Sequence, residues 1–138
     1  MGSVNRFPFP EVGDVLNYNY LFKADADRGA IEGRKARPVL VVAAGDGRVA
    51  VMPITTKGEF SNNRVVRLPT ESARAMGLPQ PDECWLLTSE INVFNWVGFD
   101  IALVPGKTTS RFGRATPGLV ASAIAHFREG RGQQTSRD

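Results

Sequence analysis

At 138 residues, with 42% hydrophobic and 22% charged residues, the chain has the size and composition of one globular domain that buries its own core. A single cysteine, Cys84, excludes an internal disulfide and a multi-cysteine zinc centre; a single histidine, His126, excludes a His-pair metal site and a His-based acid/base couple. The net charge of +3 permits an anionic partner without demanding one.

The opening stretch MGSVNRFPFPEVGD has no apolar signal region, and nowhere does the chain approach the ~20 apolar residues of a bilayer-spanning helix. A cytoplasmic protein without membrane contact, its thiol reduced, is therefore expected. Asp14 to Phe22 alternates with period two, placing Leu16, Tyr18, Tyr20 and Phe22 on one face and Asn17 and Asn19 on the other, as a first strand would. Lys23 to Ala36 follows, charged and glycine-containing, with neither period, and reads as a long functional loop.

Pro38 to Ala44 and Val49 to Thr55 are two apolar runs flanking Gly45-Asp46-Gly47-Arg48, whose Asp-Gly pair predicts an antiparallel hairpin. Pro38 opens the first strand harmlessly, and Pro53 predicts an edge or a bulge in the second. After a polar loop over 57–63, Arg64 to Leu68 reads as a strand. A short helix then starts at Thr70 as N-cap, turns Ala73 and Met76 inward and stops at Gly77.

Cys84 to Glu90 and Asp100 to Val104 are the next expected strands, joined by Ile91 to Phe99. That joining segment carries the aromatics Phe94, Trp96 and Phe99. They either close one end of the core or a subunit interface, or form a base-stacking platform. Thr116-Pro117 is an N-cap and N1 pair, and Leu119, Val120, Ala123, Ile124 and Phe127 form one apolar stripe of a terminal helix that ends at Gly130. The expected organisation is one domain over 1–130 and a disordered polar tail over 131–138. The expected fold class is mainly β, a small partly open barrel of SH3-like size with a short inserted helix and a C-terminal amphipathic helix.

Phosphate-loop, dinucleotide-binding, nucleophile-elbow and zinc-protease motifs are all missing from the sequence. What remains is the basic loop ending in Arg37-Pro38 and the strand ending in Ile54-Thr55-Thr56, whose antiparallel pairing sets the start of one beside the end of the other. A guanidinium and hydroxyls at one point suit a phosphodiester and its developing negative charge. RNA can be cleaved without metal by its own 2′-hydroxyl if a protein aligns the groups and stabilises that charge. The alternative is that Arg37 pairs with Glu32 at the surface and that Thr55 and Thr56 are ordinary strand residues.

At these residues the sequence resembles the MazF/PemK family of toxin endoribonucleases from type II toxin–antitoxin pairs. The resemblance rests on Gly13-Asp14-Val15, on Glu32 followed five residues later by Arg37-Pro38, on Pro53-Ile54-Thr55-Thr56 and on Ser89-Glu90, in that order between Gly13 and Phe127. It implies an SH3-like (CcdB/MazF/PemK-type) barrel, a homodimer, and metal-independent cleavage of single-stranded RNA, leaving a 2′,3′-cyclic phosphate and a 5′-hydroxyl. It also implies a cognate antitoxin as protein partner, DNA binding together with that antitoxin in autoregulation, and no cofactor.

Carried over, Arg37 acts on the scissile phosphate as acid or charge stabiliser, Thr55 hydrogen-bonds the same phosphate, and Glu32 orients Arg37 or assists proton transfer. Thr56, Arg34, Lys35, Lys57, Glu90, Asn92 and Trp96 are the expected substrate-binding residues. The chain departs from the family pattern at Leu87-Thr88-Ser89-Glu90 and at Lys35, which leaves Glu90, Glu32 or some other activation of the 2′-hydroxyl as the basic step. Two alternative functions are a toxin of the same fold that inhibits DNA gyrase and a non-catalytic RNA-binding domain.

Overall fold

The central hairpin turns at Asp46 and Gly47, which both have positive φ (53° and 77°), as the tight primed turn between twisted strands requires. In the computed structural model, which describes residues 7–31, 33, 35–56, 64–98 and 100–137, this turn joins β2 (Arg37–Gly45) to β3 (Arg48–Thr55). On one side of β2 lies β1 (Asp14–Tyr18), antiparallel, and beyond it β7 (Arg111–Arg114). On its other side β3 has two successive partners. Its first half pairs with β6 (Glu90–Asn95), from Arg48 opposite Asn95 to Val51 opposite Asn92. Its end pairs with β5 (Trp85–Leu87), which carries β4 (Val65–Arg67) at its other edge.

Pro53 lies where β3 changes partner, so its missing N–H falls between the two ladders. The last strand, β8 (Gln133–Ser136), runs parallel to β6. The described residues thus form one open, mainly antiparallel sheet of eight strands. Among the described residues it is accompanied by the α-helices α1 (Lys23–Asp27), α2 (Thr70–Ala75) and α3 (Pro117–Glu129) and a 3-10 turn at Pro81–Glu83.

The sheet is buried on both faces, and period two sorts its residues. Val15, Leu40, Ala50, Met52, Ile54 and Ile91 face α2 and α3, meeting Ala73, Met76, Val120 and Ala123. Leu16, Tyr18, Val39, Val41, Val49, Val51 and Phe94 face the other way, with Tyr20 and Ile101. The α3 stripe is as expected, and Thr116 Oγ1 caps the helix by accepting from the Leu119 N–H at 3.2 Å. No helix among the described residues is long and apolar enough to cross a membrane.

Several elements differ from the sequence expectation. Asp100 to Val104 is not a strand; only Ile101 makes a lone bridge to Tyr18, because Asn17 binds this segment irregularly, through its side chain to Leu103 O and its carbonyl to the Ala102 N–H. Ile91 to Asn95, expected as a connection, belongs to β6, and its alternation was masked by Asn92 on a buried face. The tail expected to be disordered over 131–138 contains β8, whose backbone finds partners along β6 although its side chains are polar. In α2, Pro69 and not Thr70 occupies the N-cap. Inside the expected loop, Lys23–Asp27 forms the single turn of α1.

Leu40→Ala removes a side chain that is 1% exposed at the centre of the face beneath α3. The expected loss is about 2–5 kcal/mol, read as a lowered urea midpoint with an unchanged slope.

Candidate functional site

Gly45 faces Arg48 and Ala43 faces Ala50, but one residue of β2 bulges out and Val41 then faces Val51, Leu40 faces Met52 and Val39 faces Pro53. The β2–β3 ladder ends at Val39 and Pro53; the same register carried two residues further would align Arg37 with Thr55. Without the bulge, Arg37 would stand opposite Thr56. Period two places Arg37 and Thr55 on the face of Val39, Val41 and Val51, and Glu90, Asn92 and Trp96 on the same face with Phe94.

Arg37 is half-buried at the first position of β2, opposite Tyr18 of β1. Its guanidinium carbon lies 4.7 Å from the centre of the Phe22 ring, a cation–π contact, and its Nε is buried without a hydrogen-bond partner. Burial pulls its pKa down from the usual arginine value. Among the described residues no carboxylate forms an ion pair with it. Thr55, also half-buried, closes β3 opposite Trp85, and half-buried Thr56 follows it. Lys35 is exposed on the approach to Arg37. Glu32, Arg34 and Lys57 lie outside the described residues.

Glu90 and Asn92 have work inside the fold. After β1 the chain crosses toward β6, and the Asn92 side chain receives it as a strand would: its amide donates to Leu21 O and its Oδ1 accepts from the Leu21 N–H, both at 2.9 Å. Two residues earlier Glu90 Oε1 accepts from the Tyr20 hydroxyl at 3.1 Å and the Lys23 N–H at 2.8 Å. Burial raises the Glu90 carboxyl above the usual range against these two hydrogen bonds, with Asp25 adding to the rise. Burial also raises the Tyr20 phenol, with the Glu90 charge adding to it. A cleft of about 450 Å³ opens beside Glu90, lined by Lys23, Asp27, Ser89, Arg131 and Gln133 among others.

Trp96 is not brought to this end. It follows Asn95, which pairs with Arg48 at the hairpin end of β3, and its N–H bonds Gly47 O. The length of β3 separates it from Thr55, roughly 20 Å at strand rise. Its indole N–H donates to Phe7 O at 2.8 Å, and its ring packs near Phe9 and Phe94. Its aromatic surface therefore closes one end of the core. Phe99 lies outside the described residues.

Two participants went unnoticed in the sequence. Tyr20 was visible only as an alternating aromatic, with no sign of its carboxylate partner. Arg137 sits in the polar tail, yet its side chain is 4% exposed and bonds several groups around β1 and β6. Comparison with family models and with curated proteins found no match for the chain.

Because the folded-state pKa of Glu90 is raised, the carboxyl favours the fold while protonated, and that contribution is lost as pH rises from the ordinary carboxylate range through the raised value. Glu90→Gln keeps an oxygen to accept from Tyr20 and Lys23 while removing the buried charge. The variant is expected to be more stable than the parent at about pH 7 and to lose that advantage near pH 4, below the usual glutamate value. Urea midpoints of both proteins at the two pH values check this.

Proposed function

We propose that the chain is a metal-independent endoribonuclease toxin of the MazF/PemK type, acting on single-stranded RNA at the Arg37 and Thr55 end of the sheet. The observation that carries this reading is a half-buried arginine, its Nε unpartnered, at the start of β2, with a half-buried threonine ending the neighbouring antiparallel strand β3. The SH3-like barrel assignment belongs to the same proposal, as do a cytoplasmic homodimer, a cognate antitoxin that covers the RNA groove, and DNA binding with that antitoxin.

In this mechanism the RNA 2′-hydroxyl loses its proton to a carboxylate, for which the chain offers Glu90 or Glu32, and its oxygen attacks the adjacent phosphorus. The bond from phosphorus to the 5′-oxygen breaks, leaving a 2′,3′-cyclic phosphate and a 5′-hydroxyl whose proton comes from Arg37 or water. Negative charge grows on the non-bridging oxygens during attack. The Arg37 guanidinium and the Thr55 hydroxyl donate to those oxygens, and their fixed placement makes the donation effective as the charge develops. Thr56 and Lys35 lie along the strand end and the approach that flank such a phosphate, and Arg34 and Lys57 are further basic residues proposed to bind the RNA.

Purified protein incubated with a long RNA in EDTA is expected to yield cyclic-phosphate ends. Arg37→Ala should reduce the cleavage rate by at least ~100-fold and Thr55→Ala by ~10-fold or more, since each removes a donor to the transition-state charge. RNA that stays intact while bound would favour a non-catalytic RNA-binding domain, and growth arrest through DNA damage with RNA untouched would favour a gyrase inhibitor.

A further inference from the structure

Arg137 follows β8, and its guanidinium reaches back under the chain to five acceptors. One terminal nitrogen donates to the Tyr18 hydroxyl at 3.0 Å, to Asn19 O at 3.1 Å and to Asn92 Oδ1 at 3.3 Å. The other donates to Ile31 O at 3.3 Å and forms an ion pair with the Asp100 carboxylate. The carbon of the guanidinium lies 5.7 Å from the Tyr18 ring centre. A charge this deeply buried needs an opposite charge and hydrogen-bond acceptors, and Asp100 with the four oxygens supplies them to both terminal nitrogens.

The partners share a consequence. Asn19 and Ile31 stand at the two ends of the excursion that leaves β1 and returns toward β2, so one planar fork ties its departure to its return. Gly33 lies so close to this departure that a Cβ there would stand 2.3 Å from Asn19 Oδ1 and 2.3 Å from Tyr20 O. Four residues later the chain reaches Arg37, which faces Tyr18, itself an Arg137 partner. Asn92, also bonded to Arg137, holds Leu21 in the same excursion.

We propose that Arg137 is a positioning residue for Arg37: by clamping the 19–31 excursion to Tyr18, Asn92 and Asp100, it fixes where the return of the chain presents the Arg37 guanidinium. The inference rests on the proposed role of Arg37 but makes a separate claim about its placement. A lysine at 137 can keep the charge beside Asp100, yet it lacks the rigid fork that spans Asn19 O and Ile31 O together.

The test compares wild type, Arg137→Ala and Arg137→Lys by amide hydrogen exchange, by the rate at which a dicarbonyl reagent modifies Arg37, and by RNA cleavage kinetics. In Arg137→Ala, amides between 19 and 37 are expected to exchange ~10-fold faster or more while those of α3 keep the wild-type rate, which shows that the domain is folded. Modification of Arg37 should accelerate several-fold, and kcat should fall ~10- to 100-fold with KM little changed, because misplacement weakens transition-state contacts first. Arg137→Lys should recover part of each effect. Wild-type exchange between 19 and 37 together with wild-type modification of Arg37 in Arg137→Ala would overturn the inference, as would an unchanged kcat in an active enzyme. If wild type cleaves no RNA, the nuclease reading falls, and exchange and modification still decide the placement claim.

Discussion

One bulged residue in β2 governs how the start of β2 is aligned with the end of β3. On the turn side of the bulge the hairpin has the register dictated by Asp46 and Gly47; on the far side it is displaced by one position. Because side chains alternate with period two, a displacement of one changes the alignment beyond Val39 and Pro53, so that the register carried on would bring Thr55 and not Thr56 to Arg37. The bulge persists because both faces of β2 and β3 are packed, with Leu40 and Met52 on one side and Val39, Val41, Val49 and Val51 on the other, so slipping the register would turn apolar groups toward the wrong neighbours.

Burial on both faces has a second effect. Polar groups on the inner surfaces must find partners within the protein, since an unpaired buried donor or acceptor costs about 1–3 kcal/mol. Asn92 meets this demand by imitating a strand backbone for Leu21, Glu90 by gathering Tyr20 and Lys23, and Arg137 by binding five oxygens. These three together draw the chain after β1 across the sheet and hold it. Arg37 stands apart from them: it is partly desolvated, with Phe22 as its packing partner and its Nε unsatisfied. That state is shared among the described residues by Asn19 Oδ1, Thr88 Oγ1 and His126 Nδ1, which are also buried without a partner.

The charged surface elsewhere adds little to the proposed RNA site. Arg111 and Arg114 on β7 are taken up by the buried Asp14, and Arg114 also by the exposed Glu11, while Arg64 with Glu129 and Arg74 with Asp82 form exposed pairs of small energetic weight. Net positive charge therefore matters less than the placement of one guanidinium.

The hairpin was legible in the chain itself, because Asp-Gly between two apolar runs constrains local φ and hydrophobic burial at once. The amphipathic α3 with its Thr116 cap was legible for the same reason, as was the nearness of Arg37 to the end of β3, which follows from antiparallel pairing. Three things were not. The bulge shows no mark in Pro38 to Ala44, since every residue there is compatible with either register. The strand through Asn92 looked like a connection, because a polar residue on a buried face is intelligible only once Leu21 is known to lie against it. Arg137 looked like part of a solvated tail, because its acceptors come from residues far apart in the chain. Local sequence determined which segments extend, turn or coil; only the tertiary structure decided which polar groups met, because burial makes a hydrogen bond obligatory and folding alone brings its partner within reach.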